Sequence, residues 1–91
     1  MLEKELEKYL KDRIEIDLKG LCRKYKSSVR GVPDRMCIVP GGQVFFVELK
    51  TQKGRLSELQ KHEITKIVNL NVDVYIVRSK GDVDSIVKDY Q

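Results

Sequence analysis

The sequence predicts an α/β domain of order αβββαβ(α), a mixed β-sheet flanked by helices. Three observations carry this. Leu2, Leu6, Leu10, Ile14 and Leu18 recur every fourth residue, the spacing of one helix face. Two apolar runs, Met36 to Val39 and Val44 to Val47, flank Pro40-Gly41-Gly42, the pattern of a β-hairpin. A helical pattern with Leu59, Ile64, Ile67 and Val68 then leads into a β-branched run ending at Arg78, as in a helical crossover to a parallel strand.

In chain order, the first eighteen residues read as a helix ended by Gly20. Glu3 and Glu7 lie on or beside its apolar stripe. Leu21 to Tyr25 is a short strand, and Lys26 to Gly31 a polar loop. Val32 precedes proline and is therefore extended. Asp34 to Val39 and Val44 to Lys50 are the hairpin strands. The second is apolar on both faces, so it is expected at the centre of the sheet, covered on both sides. Ser57 is an N-cap with Gln60 three residues on, a capping-box signal. Leu59, Ile64, Ile67 and Val68 are expected to be that helix's buried face. Asn69-Leu70-Asn71 closes it. After the last strand, Asp82 is expected to cap a short helix through Tyr90.

Ninety-one residues make one domain, 1–91, with one modest core. No run reaches the ~18 apolar residues of a membrane span, and the charged N-terminus is unlike a signal peptide. A cytosolic, non-membrane protein is expected. The net charge of +4 is a mild lean towards polyanions. Cys22 and Cys37 stand in apolar runs without a neighbouring ligand, and are expected as reduced, buried thiols. His62, the only histidine, has no metal-type partner one helical turn away and is expected at the surface.

The hairpin decides what the acidic residues can do. A two-residue Gly41-Gly42 turn sends Asp34 and Glu48 to opposite faces. A three-residue Pro40-Gly41-Gly42 loop pairs Val39 with Gln43 and sets Asp34 opposite Glu48, with Lys50 on the same face. Pro40 and Gly42 suit a type I turn with a left-handed bulge residue, so the three-residue loop is predicted. Two carboxylates side by side repel unless a cation lies between them. A divalent ion such as Mg²⁺ fits, with Asp34, Glu48 and the Leu49 carbonyl as oxygen ligands. Lys50 can then orient a water or a phosphate, a set suited to phosphodiester hydrolysis. From spacing alone, a plain ion pair of these acids with Lys50 or Arg35 is the favoured reading, because the D…ExK pattern is loose.

Arg30-Gly31-Val32-Pro33-Asp34-Arg35, Pro40-Gly41-Gly42, Phe46-Val47-Glu48-Leu49-Lys50 and Gln60 together resemble a stand-alone VRR-NUC domain, of the phage and bacterial type. This is a branch of the PD-(D/E)XK nucleases. The resemblance covers essentially the whole chain. It implies Mg²⁺ or Mn²⁺ binding by Asp34 and Glu48, catalysis by Lys50, an accessory role for Gln60, and a further glutamate from the first helix. Glu7 is the choice for that glutamate and Glu3 the runner-up. It also implies a symmetric homodimer acting on branched DNA such as four-way (Holliday) junctions, in a bacterial cell or phage-infected host, with no organic cofactor. Unexplained apolar residues, Val72 and Tyr90, add weak support for a dimer. Lys24, Lys26, Arg30, Arg35, Lys53 and Arg55 flank the site in sequence and are candidate phosphate contacts. Two other readings are a flap-type nuclease and a non-catalytic nucleic-acid-binding module on the same fold. A third is a small structural domain with an accidental acidic edge.

Overall fold

The computed structural model describes residues 2–91. Helix α1 (Glu3–Asp12) runs directly into a wider π-type turn over Arg13–Asp17. Strands β1 (Leu21–Lys24), β2 (Arg35–Val39) and β3 (Gln43–Leu49) follow, then α2 (Glu58–Asn69), β4 (Asp73–Val77) and α3 (Lys80–Asp89). The four strands lie in the order β1-β2-β3-β4. The first three form an antiparallel meander, and β4 runs parallel to β3. The α/β class and the element order are those the sequence predicts. No helix among the described residues is long and apolar enough to cross a membrane.

One face of the sheet makes the core. Cys22, Cys37, Val39, Phe45, Val47, Leu49 and Val77 point at Leu6, Leu10, Ile14, Leu18, Val83, Ile86 and Val87. The four-residue leucine spacing thus packs α1 against the same face as α3. Tyr90 also belongs here. Its ring stacks on Phe45 at 4.6 Å, and its hydroxyl meets that of Tyr75 at 3.0 Å. Core packing explains this residue, so it is no argument for a dimer.

The other face is thinly covered. Helix α2 has no fully buried residue, contrary to the buried face expected of it. Leu59 and Val68 are about half exposed, and Leu21 and Val44 on the strands are exposed too. The apolar runs foretold a covered face, but one amphipathic helix spans only part of a four-stranded sheet. The start of α3 also differs from expectation. Ser79, not Asp82, is its N-cap, accepting the Asp82 N–H at 3.2 Å. The Asp82 carboxylate accepts the Arg78 N–H at 2.8 Å, which ties the helix to the end of β4.

Candidate active site

The hairpin loop has three residues. Val39 pairs with Gln43, and the Gly42 N–H donates to the Val39 carbonyl at 3.2 Å. Gly41 (φ +94°) and Gly42 (φ +76°) are both left-handed. A positive φ at the residue after Pro40 is the mark of a type II turn, not the type I turn expected. The register is unaffected. Arg35 lies opposite Val47, and one step further Asp34 lies opposite Glu48.

The ladder's polarity follows from one bond. The Tyr25 N–H donates to the Asp34 carbonyl at 2.9 Å, so the Asp34 backbone faces β1. Antiparallel pairs alternate, so Asp34 and Glu48 are a non-hydrogen-bonded pair, the kind whose side chains stand closest. The next position sets Leu49 opposite Pro33, where two ladder bonds are due. Proline has no N–H to give, so the Leu49 carbonyl is left without its ladder donor. The Leu49 N–H turns instead to the Asp34 carboxylate at 2.9 Å. Pro33 is what ends the ladder at the site.

Glu48 is buried, with 3% of its surface exposed. Its Oε2 accepts from the Gln60 side chain at 2.7 Å and lies 3.6 Å from the Lys50 ammonium. Its Oε1 is buried and has no partner among the described residues. Burial, then the charge of Asp34, pushes the carboxyl up to about 7, against the pull of Lys50. Buried polar atoms are normally satisfied, and one that is not asks for an occupant. The orphaned Oε1, the Asp34 carboxylate opposite and the released Leu49 carbonyl are three hard oxygen donors. That set fits a Mg²⁺ or Mn²⁺ ion.

Gln60 forms the capping box that its sequence position suggests and also bonds Glu48. Its Oε1 accepts the Ser57 N–H at 2.9 Å to close the capping box, and its Nε2 reaches Glu48. Gly31 brings this helix end in. It has φ +90°, and a Cβ there would lie 2.6 Å from the Leu59 carbonyl oxygen. Gly31→Ala is expected to cost about 1–2 kcal/mol, from left-handed strain and the backbone clash. A lowered denaturation midpoint and a shifted Gln60 side-chain amide signal would report it.

The α1 glutamates part company. Glu7 pairs with Arg35 at 3.3 Å, while Glu3 lines a cleft of about 170 Å³ with Lys50, Arg78 and Lys80. Arg35 corrects an expectation: it is buried, 6% exposed, and bonds the Cys22 carbonyl at 3.2 Å as well as Glu7. Arg35 alternates to the core face, opposite to Asp34, and has no surface from which to reach a phosphate. Lys24, Lys26, Arg30, Lys53 and Arg55 are exposed, as is His62. Arg78 went unnoticed in the sequence. Its guanidinium donates to the Thr51 carbonyl at 2.8 Å and also to that of Gly54, pinning the loop after Lys50. A lone arginine after a strand carries no signal of that duty.

The VRR-NUC domain family model matches residues 1–81. A curated relative, "Putative nuclease p44" of Acyrthosiphon pisum secondary endosymbiont phage 1, is 32% identical over 85 residues, covering 92% of this chain and 89% of that protein. A solved structure of a VRR_NUC domain superposes with a TM-score of 0.88 at 33% identity, covering 98% of this chain and 97% of the other.

Proposed function

Because this chain belongs to the VRR-NUC domain family, a family of nuclease domains, we propose that it is a divalent-metal-dependent endodeoxyribonuclease that nicks branched DNA. The observation that carries this reading is the buried, unpartnered Glu48 Oε1 at the position opposite Asp34, next to the released Leu49 carbonyl. Asp34, Glu48 and the Leu49 carbonyl would hold Mg²⁺ or Mn²⁺. Once bound, such an ion supplies a more acidic water and neutralises charge on the attacked phosphate.

The protein's own groups do the rest. Gln60 fixes one oxygen of Glu48 and leaves the other free. The Lys50 ammonium, mostly shielded and 3.6 Å from Glu48, holds a non-bridging phosphate oxygen or the attacking water in place. Of the two α1 glutamates, Glu7 is held by Arg35 on the opposite face of the sheet, so Glu3, which lines the cleft with Lys50, is the better candidate to join the acidic set. Lys24, Lys26, Arg30, Lys53 and Arg55 contact the phosphates of the incoming strands. Cleaving two strands of a four-way junction calls for two sites, hence a symmetric dimer. The exposed Leu21, Val44, Leu59 and Val68 offer apolar surface for it.

The test uses labelled four-way junction, flap and linear duplex DNA, each with Mg²⁺, Mn²⁺ or chelator. The expected result is paired nicks in the junction with either metal and none with chelator, from a species of twice the chain mass in light scattering. Tight junction binding without cleavage in either metal would sink the catalytic reading. Preferred cutting of the flap would reassign the substrate.

A further inference from the structure

Cys22 and Cys37 are fully buried, free, and directly opposite each other on β1 and β2. The alternation that begins at Tyr25 and Asp34 makes them a non-hydrogen-bonded pair. The edges of Cys22 agree. Its N–H goes to the Glu15 carboxylate at 3.0 Å and its carbonyl to Arg35 at 3.2 Å, both away from β2. In such a pair the Cα atoms stand about 4.5 Å apart, inside the ~4.4–6.8 Å range that a disulfide spans. Both side chains point to the core face.

We infer that Cys22 and Cys37 are a reversible dithiol/disulfide modification site that crosslinks the sheet's edge strand to the hairpin strand starting beside Asp34. The oxidant is a peroxide. The Cys22 thiolate attacks a peroxide oxygen, giving a sulfenic acid and releasing hydroxide, which takes up a proton as water. Cys37 sulfur then displaces the sulfenic hydroxyl, which leaves as water with the Cys37 proton. Two thiols and hydrogen peroxide thus become one disulfide and two waters. Cys22 is the attacking thiol, because it lies on the edge strand and is reached first when that edge opens. Strand β1 pairs with one neighbour only, so local opening of that edge admits a small oxidant.

The crosslink closes residues 22–37 into a loop that holds Lys24, Lys26, Arg30 and Asp34. Oxidation therefore restrains the segment entering the catalytic strand. Its test needs no DNA and stands apart from the nuclease reading. The native protein is treated with hydrogen peroxide, then alkylated under denaturing conditions and weighed intact and after digestion. The expected product is a monomer lighter by two hydrogen masses, unalkylated, with one peptide joining Cys22 to Cys37. Its Tm rises by about 5–10 °C, and dithiothreitol reverses both changes. Amide exchange at Leu21–Lys24 slows in the same sample. Cys22→Ala treated alike shows neither the joined peptide nor the Tm rise. Thiols that stay reduced under native conditions, a disulfide between two chains, over-oxidation to sulfinic acid, or an unchanged Tm would each overturn the inference.

Discussion

Asp34→Asn is expected to lower DNA cleavage by about 10³-fold or more, because one of two facing carboxylate ligands becomes neutral. The fold should not suffer. Asparagine keeps a carbonyl oxygen for the Leu49 N–H, the only bond that Asp34's side chain makes among the described residues. The change also removes a charge that pushes the Glu48 carboxyl up. Metal-free Asp34→Asn should therefore melt at or above the wild-type temperature near pH 8. Activity lost while stability holds or rises separates a metal ligand from a structural ion pair. If Asp34 served the fold alone, the variant would melt lower and still cut DNA once folded.

The second expected result concerns stability against pH. The folded-state pKa of Glu48, about 7, lies above the ordinary value of 4.5. Below 4.5 the proton is present in both states, and its favourable contribution is complete. That contribution is lost as pH rises from 4.5 through 7, because the folded protein must then keep a buried charge. The loss is at most about 3 kcal/mol, the free-energy equivalent of the shift. Metal-free protein should melt lower at pH 8 than at pH 5. Mg²⁺ or Mn²⁺ should raise Tm most at the higher pH, since the ion replaces the proton between the carboxylates. Thermal melts over this range check it, with Glu48→Gln as the control that flattens the metal-free slope. A wild-type slope unchanged in that control would show that another group sets it.

Much of this site was legible before any coordinates. The hairpin register followed from counting loop residues, because β side chains alternate strictly and only one slip sets Asp34 against Glu48. It survived an error in turn type, since type I and type II turns are both compatible with a three-residue loop. The capping-box duty of Gln60 followed from its place three residues after Ser57, while its place beside Glu48 was suggested only by the family resemblance. Other features had no local signal. Whether Arg35 is a surface cation or a buried clamp depends on Glu7 and Cys22, both far from it in sequence. The exposure of α2 reflects how little of the sheet one helix covers. Pro33 was read for its effect on Val32, and its larger consequence appears only once the register sets it against Leu49.

The most direct test is a crystal grown with Mn²⁺ and measured for anomalous scattering at the manganese edge. The expected map has a peak between Asp34 and Glu48, within about 2.0–2.3 Å of the Glu48 Oε1, an Asp34 oxygen and the Leu49 carbonyl. The same peak should vanish in Asp34→Asn. A well-ordered site with no peak, or manganese bound elsewhere while Glu48 Oε1 stays bare, would contradict the account.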